Sequence, residues 1–253
     1  MTSDATYNII LITWLVLCPL IFTSLLFIVA PYGRHIKSGW GPAVDSKLAW
    51  VIMEACSPVI FAICFIMGKA PLSLPSVIFL LMWEAHYIHR AFIYPFSLKS
   101  SHDKMPLSIV FSGIFFNLMN AWLNGYYIFT LSGGYPDQWL TDPRFIAGAA
   151  LFISGFIINR HADYTLGRLR KSDETGYKIP YGGLYRWISC PNYFGEILIW
   201  TGWALATWSL AGLSFALWTL ANLAPRALSH HAWYHEHFPD YPAGRKALVP
   251  GIW

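Results

Sequence analysis

Nine ionisable side chains stand inside long apolar runs of this chain: Glu54, Glu84, His86, His89, Arg90, Arg160, His161, Asp163 and Glu196. Such groups are costly in hydrocarbon and as a rule face a cavity or a partner. Asn159 and Asp163 are four residues apart, as are Asn192 and Glu196, so each pair shares one face of a helix. Glu54 and Tyr87 come from two other apolar runs. Carboxylates, amides and a phenol converging from separate segments can bind a polar ligand inside an apolar wall. Arg168, Arg170, Lys171, Lys178 and Arg226 stand near the ends of these runs. Their guanidinium and ammonium groups suit an anion, and a phosphate-rich cofactor is the natural candidate. There is no Gly-rich strand–turn–helix fingerprint, so a dinucleotide would be held without a Rossmann unit.

The elements that must position these groups are membrane helices. Of 253 residues, 56% are hydrophobic and only 12% are charged, where a soluble domain carries about 25% charge. That excludes disorder, a coiled coil and an ordinary water-soluble globule. A net charge of +4 is too weak to argue for nucleic acid. Seven apolar segments fall at roughly 8–29, 48–67, 76–95, 106–130, 144–166, 193–208 and 211–225. The last two come from one run, Tyr193 to Ala224, which we divide near Ser209-Leu210-Ala211-Gly212 into a helical hairpin. Backbone in lipid must satisfy its own hydrogen bonds, so the segments are helices. No alternating strand pattern and no internal repeat is present. The expected fold is all-α: one domain over 1–253, a polytopic membrane protein of seven transmembrane helices. The first run lacks a basic lead and a cleavage site and reads as a retained span. Cys18, Cys56, Cys64 and Cys190 form no CxxC, and neither a disulfide nor a zinc site is expected.

Lys and Arg orient the bundle. Loop one holds Arg34, Lys37 and Lys47, loop three Lys99 and Lys104, loop five Arg168 to Arg186, and the tail Arg226, Arg245 and Lys246. The opposite side holds Lys69 and Arg144. The N-terminus is therefore expected outside and the C-terminus in the cytoplasm. With about 1.5 Å of rise per residue, Glu54 lies ~9 Å and Tyr87 ~12 Å from the inner end of their helices. The polar groups thus gather in the inner half, where an anionic ligand could arrive from the cytoplasm and an apolar one from lipid.

Other polar groups read differently. Asn117, Asn120 and Asn124 look like glue between helices. His230, His231, His235 and His237 lack nearby Cys or paired carboxylates, so no metal site is assigned. Glu84, one turn before Tyr87, has no assigned role.

Longer motifs say more. Asn159-Arg160-His161-Ala162-Asp163-Tyr164 is followed by Leu169-Arg170-Lys171, by Gly176-Tyr177 through Tyr185, and by Pro191-Asn192-Tyr193-Phe194-Gly195-Glu196. Then come Trp203 to Leu210, Tyr241-Pro242 and Arg245-Lys246-Ala247-Leu248-Val249-Pro250. Upstream stand Trp50 with Glu54 and the run His86 to Tyr94. In this order the chain resembles the steroid 5α-reductase (3-oxo-5-alpha-steroid 4-dehydrogenase) family over most of its length.

The resemblance implies an NADPH-dependent membrane enzyme that reduces the C4–C5 double bond of a 3-oxo-Δ4 steroid to the 5α-dihydro product. It implies Glu54 and Tyr87 as the catalytic pair at the 3-ketone, with Trp50 and Phe116 lining the steroid pocket. NADPH would be held by Asn159, Asp163, Arg170, Tyr177, Asn192, Glu196, Arg226, His230 and Tyr234. About 1–130 would form the substrate side and about 144–253 the cofactor region. The protein would act as a monomer, in the endoplasmic reticulum if eukaryotic and the inner membrane if bacterial. Hydride attack at C5 of an enone moves charge onto the ketone oxygen, where a hydrogen-bond donor stabilises the enolate. Tyr87 can donate its phenolic proton, and Glu54 can donate when protonated. In one arrangement Glu54 holds Tyr87 while Tyr87 faces the ketone.

Three alternatives remain. A polyprenol or enoyl-thioester reductase would share the cofactor region; Glu54 with His86-Tyr87 favours the steroid branch. An isoprenylcysteine-type methyltransferase would share the C-terminal hairpin, but Cys190-Pro191-Asn192-Tyr193 lacks a preceding Arg-His. A transporter would call for inverted repeats and broken helix pairs.

Overall fold

The computed structural model describes residues 3–30, 35, 39–97, 104–169 and 176–253. Each of the seven apolar segments is helical. α1 is Ser3–Phe27 and α2 is Ser46–Ile66. α3 (Leu74–Ile88) passes through a π-helical turn, His89–Ile93, into the short α4 (Tyr94–Ser97). α5 (Leu107–Tyr126) ends in a second π-turn, Tyr127–Leu131. α6 (Pro143–Arg168), α7 (Pro191–Thr207) and α8 (Leu210–His237) complete the bundle.

The all-helical expectation misses one feature. β1 (Ala43–Asp45) and β2 (Lys104–Pro106) pair antiparallel, with Ala43 opposite Pro106 and Asp45 opposite Lys104. Three residues per strand are too few for a period-2 pattern. Because α2 follows β1 and α5 follows β2, the ribbon starts the two helices side by side. The Asp45 side chain then caps α2 by accepting from the Leu48 N–H at 2.9 Å.

Among the described residues, four helices are long and apolar enough to cross a membrane: Asp4–Phe27, Ser46–Ile66, Leu107–Leu131 and Pro143–Arg168. α3 and α7 are shorter, at 15 and 17 residues. The hairpin between α7 and α8 breaks where the sequence suggests. Trp208 takes left-handed dihedrals (φ 44°, ψ 48°), and Ser209 accepts the Gly212 N–H at 2.9 Å to open α8. The far end of α8 differs from expectation. The apolar run stops near residue 225, yet the helix continues through Pro225 to His237. Arg226, His230 and Tyr234 recur every four residues and are all buried. That inward face carries the helix beyond its apolar stretch.

The tightest seam joins α6 to α7. A Cβ on Gly155 would meet the Gly195 carbonyl oxygen at 2.5 Å, and one on Gly202 the Gly148 carbonyl oxygen at 2.5 Å. Only hydrogen at these positions lets the backbones touch. Aromatic rings fill the centre: Phe61 stacks on Trp83 at 4.3 Å and Trp200 lies 3.9 Å from Phe215. α1 packs on α8 through Trp14 and Trp218, whose centroids are 4.6 Å apart. Loop five and the tail join where Ser189 N–H donates to the Lys246 carbonyl at 2.8 Å.

Candidate active site

A cavity of about 500 Å³ opens among α1, α2, α3, α5, α7 and α8, a size that suits a small apolar ligand. Its wall includes Trp50, Glu54, Tyr87 and Phe116, the four residues expected around the substrate. It also includes Met53, His86, Arg90, Asn117, Glu196 and Trp200, of which Glu196 alone was assigned a binding role. α1 adds Trp14, Leu17, Ile21 and Leu25. These α1 residues carry no polar mark that sequence reasoning could use.

Two prolines shape the polar corner. Pro58 has no N–H, so the Glu54 carbonyl one turn earlier loses its helical donor. In the π-turn that follows Tyr87 the ladder runs from Tyr94 N–H to the His89 carbonyl, so Pro95 leaves the Arg90 carbonyl without a backbone donor, and that carbonyl accepts from Trp50 Nε1 at 3.2 Å. Arg90 lies in that turn. Its guanidinium sits over Trp50 at 4.9 Å and Tyr94 at 5.3 Å, and its Nε is 3.9 Å from the Glu54 carboxylate. The Tyr87 hydroxyl donates to Asn117 Oδ1 at 3.5 Å, while Asn117 Nδ2 donates to the Met53 carbonyl at 2.9 Å. The direct Glu54–Tyr87 bond drawn from the sequence is therefore not formed. Arg90 draws the Glu54 carboxylate, and Asn117 accepts the hydrogen bond of the phenol. Asn117 is a wall residue of the cavity and not only glue. Asn124 does fit the glue reading, accepting from Trp203 Nε1 at 2.9 Å. Glu84 lies outside the cavity wall.

A second polar cluster adjoins the chamber through Glu196. One Glu196 oxygen lies 3.2 Å from His86 Nε2, and the other accepts from Asn159 Nδ2 at 2.9 Å. Asn159 Nδ2 also donates to the Asn192 carbonyl at 2.8 Å. Arg160 hydrogen-bonds Asn159, meets His89 at 2.8 Å and lies 3.4 Å from Asp163. The Gly155–Gly195 contact sits one turn away and sets this alignment. Asp163 Oδ1, Arg160 Nε, His86 Nδ1 and His89 Nδ1 are buried with no hydrogen-bond partner among the described residues. Buried polar atoms are normally paired, so this corner fits a ligand rich in hydroxyls and amides.

A third group lies further along α8. Arg226 Nε donates to the Tyr193 hydroxyl at 3.2 Å, and that hydroxyl is 3.0 Å from His230 Nε2. His230 Nδ1 faces His35 at 3.3 Å. Tyr234 stacks on Tyr241 at 5.0 Å, and Tyr177 meets Trp233 edge-on at 4.9 Å. Arg170 lies outside the described residues. Asn159, Asp163, Asn192 and Glu196 thus form one cluster, and Arg226 and His230 another. Tyr177 and Tyr234 stand in aromatic contacts with Trp233 and Tyr241. This donor set suits a cofactor with an amide, sugar hydroxyls and phosphates.

Comparison with known proteins identifies the family. A family model described as 3-oxo-5-alpha-steroid 4-dehydrogenase matches residues 103–253. The chain is 39% identical over 260 residues to the steroid 5-alpha-reductase DET2 of Gossypium hirsutum, with 100% of both chains covered. It is 40% identical over 233 residues to 3-oxo-5-alpha-steroid 4-dehydrogenase 1 of Bos taurus, covering 90% of each. With the Homo sapiens protein of that name it shares 41% over 221 residues, covering 87% of this chain and 85% of the other. A match of this extent means that the chain belongs to the 3-oxo-5-alpha-steroid 4-dehydrogenase family of oxidoreductases.

Proposed function

We propose that this protein reduces the C4–C5 double bond of 3-oxo-Δ4 steroids to 5α-dihydro products, with NADPH as reductant. The observation that carries the reading is Glu196, which borders the apolar chamber on one side and the Asn159–Asn192 cluster on the other. A substrate in the chamber would lie beside a cofactor held by the cluster.

NADPH, when bound, supplies the hydride that is added at C5. Asn159, Asp163, Asn192 and Glu196 would hold its ribose and nicotinamide end, and Arg170 and Arg226 its phosphates. His230, Tyr177 and Tyr234 would complete the binding surface. Trp50 and Phe116 would hold the steroid rings and exclude water. The Tyr87 hydroxyl would turn its proton to the 3-ketone as negative charge gathers there, with Glu54 flanking the same oxygen. A proton added at C4 then completes the product.

The same reading gives the chain seven membrane crossings, with odd loops and tail in the cytoplasm, and a monomeric working form. Its direct test is to incubate membranes carrying the protein with NADPH and testosterone or progesterone. The 5α-dihydro steroid is the expected product. Folded, nucleotide-binding protein that forms none would overturn the assignment.

A further inference from the structure

Resting on the steroid-reductase reading, we infer that Asn117 is a positioning residue that sets the Tyr87 hydroxyl and ties it to the helix bearing Glu54. The Asn117 side chain is 4% exposed and lines the chamber. Its amide can face only one way. Nδ2 donates to the Met53 carbonyl at 2.9 Å, which turns Oδ1 toward the Tyr87 hydroxyl at 3.5 Å. The Tyr87 ring is already held by Trp83 and His86, each with a centroid 5.1 Å away. The freedom left to this group is the direction of its O–H bond, and Asn117 is the acceptor that directs it.

The length of the contact matters. At 3.5 Å it is at the weak limit of a hydrogen bond, so it orients the proton without holding it tightly. A ketone oxygen gathering charge is a stronger acceptor than a neutral amide, because bonds to ionised groups are roughly twice as strong. The Tyr87 O–H therefore turns from Asn117 Oδ1 to the ketone oxygen as charge gathers there. The same amide grips the backbone at Met53, next to Glu54. One side chain thereby fixes the spacing between the phenol and the carboxyl.

The test is Asn117→Leu made in two backgrounds, the natural chain and Tyr87→Phe, with Asn117→Ser as a second variant. In the natural chain, kcat should fall by about ten- to a hundredfold with steroid KM little changed. In Tyr87→Phe, the same change should cost nothing further, because the hydroxyl it directs is gone. An equal loss in both backgrounds, or none in either, overturns the inference. Loss of nucleotide binding in both Asn117 variants also overturns it, making Asn117 a folding residue. Failure of the underlying reading looks different: the natural chain would then yield no 5α-dihydro steroid, or Tyr87→Phe would retain full activity.

Discussion

Gly155 of α6 and Gly195 of α7 meet backbone to backbone, so that a methyl group on Gly155 would lie 2.5 Å from the Gly195 carbonyl oxygen and 2.6 Å from the Ile199 nitrogen. Neither neighbour is the end of a flexible side chain, so the helices themselves would have to part. Asn159 lies one turn beyond Gly155 and Glu196 directly follows Gly195, so their 2.9 Å bond depends on this contact. Gly155→Ala should therefore destabilise the protein by about 1–3 kcal/mol and weaken nucleotide binding together with it. Gly167→Ala is the control, since its added methyl would find only the Ser97 carbonyl oxygen at 3.5 Å. Thermal melting and nucleotide titration of the two variants check this. Equal behaviour would mean that the seam does not position the cluster.

Tyr87→Phe removes the chamber's phenolic proton and leaves the aromatic packing around Trp83, His86 and Trp200 in place. Turnover should drop on the order of 10²–10³, the usual cost of one donor at a developing oxyanion. Glu54→Gln should act in the same direction. It leaves Arg90 over Trp50 and Tyr94 without its carboxylate. In both, nucleotide binding should survive. Steady-state rates beside a nucleotide titration separate the two effects, and full activity in both would remove the pair from the chemistry.

Much of this site is legible in the sequence because polar residues inside apolar runs mark themselves. Glu54, Tyr87, Asn159, Asp163 and Glu196 all stand out in this way, and four-residue spacing pairs Asn159 with Asp163 on one face. What the sequence hides is the partner each side chain meets. Arg90 is visible as a charge, but its place over Trp50 and beside Glu54 depends on a π-turn that periodicity does not announce. Asn117 shares its spacing pattern with Asn124, yet one faces the chamber and the other a tryptophan in the core. The α1 residues of the wall look like any lipid-facing stripe. The continuation of α8 beyond residue 225 is masked by Pro225 and by the fall in hydropathy, although its buried face is bound by contacts with α7 and the tail.

Gly113 and Met53 make a further test of the chamber, as both line it. A methyl group on Gly113 would run into the Met53 sulfur and Cγ, which belong to a flexible side chain. Gly113→Ala should push that thioether into the cavity and narrow it near Glu54. The expected result is a raised steroid KM with nucleotide affinity unchanged. Adding Met53→Ala should restore the KM, since the displaced group is then absent. A KM that does not recover in the double variant would show that Gly113 acts elsewhere.

The tail seam carries a pH dependence of defined sign. His231 Nδ1 lies 2.6 Å from Ser189 Oγ, which in turn is 2.7 Å from the Tyr241 hydroxyl. These contacts chain α8, loop five and the tail together; in the neutral tautomer with the proton on Nε2, Ser189 donates to the His231 ring and is free to accept from Tyr241. Burial holds the His231 imidazole below its ordinary range, and the nearby His235 and Lys246 push the same way. The folded state therefore resists binding a proton that the unfolded chain accepts near pH 6.5. Stability from this group is present above that value and is lost as pH falls below it. A proton on Nδ1 reverses that bond, so that the ring donates and Ser189 turns its own proton to the Tyr241 hydroxyl. The melting temperature should fall between pH 7.5 and 5.5, and His231→Asn should flatten that slope. If the slope is unchanged in the variant, the acid sensitivity belongs to other groups and the seam is held by its backbone bonds, such as Ser189 N–H to the Lys246 carbonyl.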